Sequence, residues 1–334
     1  MMKRRGFLGF ATGCLLAAPL LAEAQQTPGK PSRLGYLSSG LSSQFAGNTV
    51  IAQLLGHLRE GLGELGYVEG RNVAIEYRVA EGQVERLPEL AAELARRQVE
   101  GFVVIGPAAL KAARGATSSI PIVAIDYETD PVAGGFVASL GRPGGNVTGI
   151  FLDQSEISGK WLELLKDGIP GISRVAALWD PATPPYQAQS IEAASKTLRI
   201  QLQTIKIRAP ADFERAFTNA ARGRAQAIVI LSSPLVTRFP KDFADLAVRT
   251  RLPTISLFLE LARAGCLFAY GPVQSELFRR LGRFAGRILN GTRPQELPVE
   301  RPTRFELAVN LKTAKALGLT IPPSLLARAD QIIE

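Results

Sequence analysis

The feature that most constrains this chain is an internal repetition of one pattern. From Arg33 to about Asp130 the sequence reads strand, helix, strand, helix, strand, helix, strand, and from Arg174 to about Glu260 it reads so again. The first copy predicts strands at 33–38, 72–79, 101–105 and 121–126; the second predicts them at 174–180, 201–207, 227–231 and 252–257. Each Val/Ile/Leu-rich run precedes an Ala/Leu-rich segment with helical spacing. Such alternation predicts parallel sheets covered by helices on both faces. The expected fold class is therefore α/β, with two doubly wound parallel-sheet lobes, an arrangement that suits a ligand clamp.

The 334 residues suffice for two lobes, each with its own core, and 46% hydrophobic with 21% charged content is typical of a globular chain. Residues 1–24 read differently. Lys3, Arg4 and Arg5 precede an apolar stretch from Gly6 to Leu21, and Ala22-Glu23-Ala24 offers a small-x-small cleavage site. This is the pattern of a secretory signal peptide, and it predicts a periplasmic protein. Arg4-Arg5-Gly6-Phe7-Leu8 fits either a twin-arginine export signal or an ordinary positive n-region. Ala11-Thr12-Gly13-Cys14 offers a competing lipoprotein reading, but few apolar residues precede it. Cleavage after Ala24 leaves Cys266 as the one cysteine, so no intramolecular disulfide is expected. It also lowers the formal charge from +9 to +7, three positive charges and one negative being lost. The remaining basic residues are dispersed along helices without interleaved aromatics, which argues for a solvated surface and against a nucleic-acid partner.

Between the copies, Arg142-Pro143-Gly144-Gly145-Asn146 is the expected first crossover between lobes. Gly271-Pro272 and the segment 301–303 are the expected second and third. The lobes then comprise 33–147 with 272–303, and 148–271 with 304–334. A helix at about 274–289 and a strand at 304–310 close the core. Three crossovers make a hinge that bends while each lobe stays rigid.

In open parallel sheets, ligands sit beyond the carboxyl ends of the strands, beside helix N-termini. That rule selects Ser38 and Ser39 after the first strand, and Gly106, Pro107, Ala108 and Ala109 after the third. It also selects Asp126 and Asp130 after the fourth, Asp180 and Thr183 in the second lobe, and Ser232 and Ser233. Gly106 would let a ligand approach the backbone, and the free amides of Ala108 and Ala109 could hold a carboxylate, an effect of about 0.3–2 kcal/mol. The same Gly-Pro pair would also serve as a plain strand-to-helix turn. Asp126, Asp130 and Asp180 could receive an ammonium group or cap their own turns. Phe151, Trp179, Tyr186 and Tyr270 could form a stacking wall or belong to the core.

Gly61-Leu62-Gly63-Glu64-Leu65-Gly66 matches G-x-G-x-x-G, yet it ends a helix, whereas a dinucleotide fingerprint follows a strand. We read it as helix termination. With one histidine, His57, and one mature cysteine there is no Ser-His-Asp or Cys-His constellation and no His/Cys zinc cluster. No cofactor, no metal and no catalysis are expected.

Several segments resemble one family. Leu65-Gly66-Tyr67-Val68-Glu69-Gly70-Arg71-Asn72 with Ile75-Glu76-Tyr77-Arg78, Asp130-Pro131-Val132, Ala138-Ser139-Leu140, the Arg142–Asn146 turn and Ser158-Gly159-Lys160 do so. Tyr270-Gly271-Pro272, Phe305-Glu306-Leu307 and the tail from Asn310 to Pro322 do so as well. Together they are similar to the substrate-binding proteins of an ABC transporter family described as tryptophan/tyrosine uptake. The resemblance implies a type I periplasmic-binding fold with three crossovers and a small ligand, an amino acid or other carboxylated molecule, in the cleft. It also implies a membrane permease as partner. Ser38, the Gly106–Ala109 turn, Asp130, Ser232-Ser233-Pro234 and Tyr270 fall where family members present cleft residues. The chain departs from the family at Asp126-Tyr127-Glu128-Thr129, where a Gly-rich turn is common. It departs again at Asp180-Pro181 in place of Asn-Pro, and at Ser232-Ser233 in place of Pro-Asp. These changes alter charge inside the expected cleft. A sensor that presents its closed form to a receptor kinase would need the same clamp. A secreted α/β enzyme would instead turn over its ligand. An export signal where a helix-turn-helix would sit disfavours a repressor of this fold.

Overall fold

The computed structural model describes residues 30–47 and 49–334; the expected signal peptide lies outside the described residues. The first lobe begins with β1 (Ser32–Ser38), α1 (Val50–Gly63), β2 (Val73–Val79) and α2 (Leu87–Arg96). It continues with β3 (Gly101–Ile105), α3 (Pro107–Ala116), β4 (Ile122–Asp126) and β5 (Val147–Phe151). All five strands pair in parallel in the order β2-β1-β3-β4-β5. Alternating side chains then face opposite layers. Leu34, Tyr36, Val103 and Val123 face α1 and a later helix, α10 (Gln274–Leu289), while Leu37, Phe102, Val104 and Ile122 face α2 and α3.

The second lobe contains α4 (Gln154–Gly168), β6 (Arg174–Trp179), α5 (Tyr186–Thr197), β7 (Gln201–Lys206), α6 (Phe213–Arg222) and β8 (Ala227–Ile230). It goes on through α7 (Pro234–Arg238), α8 (Pro240–Thr250), β9 (Thr254–Ser256), α9 (Leu259–Ala264) and β10 (Phe268–Pro272). The chain then returns to the first lobe as α10 (Gln274–Leu289). It finishes in the second lobe with β11 (Phe305–Asn310), α11 (Leu311–Leu317), α12 (Pro323–Leu326) and β12 (Gln331–Ile333). The seven-stranded sheet has the order β12-β11-β10-β9-β8-β6-β7.

The two α/β lobes and the three crossings between them match the sequence expectation, with three local differences. First, β5 pairs with β4 through Ile122↔Val147 to Asp126↔Phe151, so Arg142–Asn146 is a turn within the first lobe. The first crossing is Leu152-Asp153, where Asp153 caps α4 by accepting from the amides of Ser155 and Glu156. Second, the sheet of the second lobe is not wholly parallel: β10 and β11 run antiparallel. Third, Asn310 does not end the core, because β12 adds a further parallel strand beside β11.

The crossing segments lie side by side. Phe151 N donates to Glu300 O at 3.0 Å, Glu300 N to Gly149 O at 2.9 Å, and Val273 N to Arg304 O at 3.0 Å. The Arg301 guanidinium donates to Phe151 O at 3.1 Å and Leu152 O at 2.9 Å.

In the first lobe, α1 and α10 cross with their backbones in contact. A Cβ built on Gly61 would lie 1.9 Å from Arg279 O, and one on Gly282 would lie 2.1 Å from Leu58 O. The first glycine of the G-x-G-x-x-G run therefore serves close helix packing, which helix termination alone does not describe. Gly63 is the last residue of α1, and Gly66 takes φ +85° in the following turn.

Candidate functional site

Every charged side chain that is buried among the described residues is acidic: Asp126, Glu128 and Asp180. Asp126 ends β4 and Glu128 lies two residues beyond it on the first lobe, while Asp180 follows β6 on the second.

On the first lobe, Asp126 ends β4. Its Oδ1 accepts from the amides of Glu128 at 2.8 Å and Thr129 at 3.1 Å, which curls the chain into a tight turn. The turn points the Glu128 carboxylate at the second lobe, where it accepts a hydrogen bond from Ser232 Oγ. Beside it the ring of Tyr127 meets Phe258, which follows β9, edge-on at 6.0 Å. The Tyr127 hydroxyl donates to Gln274 Oε1 at 2.6 Å, and Gln154 Nε2 donates to the Tyr127 carbonyl. One turn thus touches the opposite lobe and the start of both α4 and α10.

On the second lobe, Gln187 holds Ser232 in place by accepting from its amide and donating to its carbonyl, both at 2.8 Å. Ser233 caps α7 by accepting from Val236 N at 3.2 Å. Asp180 Oδ1 accepts from Ala182 N at 2.9 Å. The hydroxyl of Thr183 donates to Asp180 O at 2.7 Å and accepts from the indole of Trp179 at 3.2 Å. Arg238, exposed on α7, reaches across to Gly82, where a Cβ would meet its guanidinium. The lobes are closed on one another.

The electrostatics follow from burial. Desolvation pushes the Asp126 and Glu128 carboxyls above their usual range, and for Glu128 the charge of Asp126 adds to the effect. Asp180 is raised by desolvation, which the Ala182 amide and Ser233 oppose. Two neighbouring carboxyls shut away from water favour sharing a proton until a cation joins them.

Other expected residues take plainer roles. Ser38, the last residue of β1, and Ser39 after it are buried; Ser38 Oγ accepts from Gly40 N at 3.4 Å, and the Ser39 carbonyl accepts from Gly82 N at 2.9 Å. Gly106 takes φ +83°, a backbone that favours glycine. A Cβ there would meet nothing within 4 Å, so open space adjoins the start of α3. Pro107 is the first residue of α3, and no side chain caps that helix beside Ala108 and Ala109. Asp130 caps its own turn, accepting from Val132 and Ala133 at 2.9 Å each. Phe151 is fully buried among α3, β3 and β4 side chains, and is a core residue with no face left for a ligand. Tyr270 stacks on Phe305 at 5.6 Å, with charged groups of α4 and the C-terminal segment as its other neighbours. A cavity of about 220 Å³ lies between α1, the residues after β9 and the second crossing, lined in part by Leu54, Leu257, Glu260 and Gln274.

Sequence reasoning missed Glu128, Gln187, Tyr127 and Phe258 as members of this site. Glu128 had a signal, since it stands in the turn where the chain departs from the family it resembles. Gln187 and Phe258 had none, because a helix glutamine and a loop phenylalanine carry no mark of what they will face.

Comparison with known proteins agrees with this architecture. A tyrosine-binding protein of Clostridioides difficile (strain R20291) is 24% identical over 330 residues, covering 96% of this chain and 94% of that protein. A conserved domain protein from Vibrio cholerae superposes with a TM-score of 0.82 at 23% identity, over 91% of this chain and all of that one. An ABC domain in complex with L-Trp from Streptococcus pneumoniae gives 0.81 at 21% identity, over 91% and 100%. The ligand-free, open structure of a substrate-binding protein with adhesive properties from Clostridium difficile gives 0.67 at 21% identity, over 90% and 99%. The profile of the ABC transporter substrate binding proteins matches residues 45–333. With that match spanning both lobes and the hinge, the chain belongs to the ABC transporter substrate-binding protein family, whose members bind solutes for a permease and are not enzymes.

Proposed function

We propose that this protein is a periplasmic receptor of an ABC uptake system that closes on a small amino-acid-like or carboxylated ligand and presents it to an inner-membrane permease. Residues 1–24 direct export, and the mature chain acts as a monomer. The observation that carries the reading is the meeting of the Asp126–Thr129 turn with Ser232-Ser233. Polar strand ends 104 residues apart in sequence close on each other, while α3 begins uncapped beside open space. Residues at these positions are reached only when the hinge opens. A ligand that contacts both lobes binds the closed form in preference, and that preference is the driving force for closure. The relatives named above for tyrosine and tryptophan support an aromatic amino acid as one guest. Side chains of Tyr127 and Phe258 would offer it aromatic contacts.

The test is native mass spectrometry of the mature protein, followed by identification of any small molecule released on denaturation. A stoichiometric amine or acid is expected. A receptor that retains nothing, and whose melting temperature no amino acid or related amine or acid raises, would refute the reading.

A further inference from the structure

The buried charge of the cleft is one-sided. Asp126, Glu128 and Asp180 are 0%, 4% and 6% exposed, and no lysine, arginine or histidine among the described residues is buried with them. Arg238, the base that crosses between lobes, is exposed and lies against Gly82. A second, independent observation concerns orphaned polar atoms. Asp126 Oδ2 receives no hydrogen bond, although the residue is wholly shut off from water. Gln154 Oε1, on the side chain that holds the Tyr127 carbonyl, is likewise buried and unmet. Buried acceptors are nearly always paired, so the unmet oxygens of Asp126 and Gln154 mark a place where a donor belongs, while the unmet donor beside the same turn, Gln274 Nε2, is uncharged. An ammonium group brings three donors and no acceptor, and a positive charge that the acids lack. A carboxylate would bring the opposite on both counts.

We propose that the ligand is an organic cation: a molecule with at least one protonated amine and a net positive charge, held by Asp126 and Glu128. This rests on the receptor reading and narrows it. Amines and diamino acids fit the site, zwitterions bind less tightly, and molecules whose only charge is a carboxylate are rejected. Ser232 donates to one oxygen of Glu128, and a guest's ammonium would compete for that oxygen. Glu128 is then a specificity-determining residue, because it supplies the second negative charge beside Asp126.

Matched sets separate the charge types while keeping the side chain constant: tyramine, tyrosine and 3-(4-hydroxyphenyl)propanoate; tryptamine, tryptophan and indole-3-propanoate; cadaverine, lysine and 6-aminohexanoate. Binding to the mature protein is read by calorimetry. In the set that binds, the most positively charged member is expected to bind at least tenfold tighter than its neutral counterpart, with the acid silent in the aromatic sets. Glu128→Gln, with folding checked by circular dichroism, should narrow that preference at least tenfold. Equal or tighter binding of the zwitterion, or of the acid, overturns the cation proposal and leaves the receptor reading standing. An unchanged preference in Glu128→Gln overturns the role of Glu128. If no compound binds and none co-purifies, the receptor reading falls as well.

Discussion

Replacing Gly61 by alanine puts a methyl group where the crossing of α1 and α10 has no room for one. The new carbon would sit 1.9 Å from Arg279 O, a main-chain atom that cannot swing aside as a side chain would. Restoring ordinary contact requires the helices to part by roughly 1.5 Å, loosening the leucines packed around the crossing. Overpacking of this kind costs about 3 kcal/mol. Alanine returns about 1 kcal/mol of helix propensity, so the net loss is about 2 kcal/mol. Gly56 stands in the same helix with nothing within 4 Å of its Cβ position. There only the propensity acts, and Gly56→Ala should stabilise by up to about 1 kcal/mol. Urea unfolding of the two variants beside the parent protein gives the comparison, with constant slopes required before midpoints are converted to energies. A Gly61→Ala protein at least as stable as its parent would refute the close-packing argument. So would two variants shifted in the same direction.

Other consequences can be measured separately. The Glu128 carboxyl is raised by burial and by Asp126, so the stability tied to it is full below the ordinary carboxylate range and is lost as pH rises through the elevated folded value. The parent's melting temperature should therefore decline between pH 5 and pH 8 and Glu128→Gln should flatten that decline; parallel profiles would contradict this. Cys266 is fully buried with its thiol pushed up to about 12, so iodoacetamide should label the mature protein only after denaturation; native labelling at the rate of a free thiol would count against that burial. Ala108→Pro removes one first-turn amide of α3 at a position that tolerates proline. If that amide holds an acid group on the ligand, affinity for a zwitterion should fall while affinity for its amine stays, and equal affinities for both would exclude the anchor.

The strand positions were legible because buried parallel strands write themselves as β-branched runs, and eight runs predicted from the sequence reappear within one or two residues of their expected bounds. What was not legible was pairing. Val147–Phe151 reads as a strand in either lobe, and its ladder with β4 alone decides that the chain crosses after Phe151. The antiparallel turn of β11 against β10 leaves no local trace either. At the site, the strand-end rule pointed to Asp126 and Ser232, which lie beside Glu128, and to Asp180 and Ser233, which lie beside each other, while Phe151, a candidate for the stacking wall, turns to the core. The rule missed Glu128 because that residue acquires its role only when the opposite lobe arrives.

The linked crossings have a mechanical corollary. Since 149–152 is laced to 300–301 by main-chain bonds and by Arg301, and 273 is tied to 304, these threads form a narrow woven strap. A strap flexes readily across its width and resists being wrung. The halves should consequently swing along one arc, returning Glu128 to the same partner at each stroke.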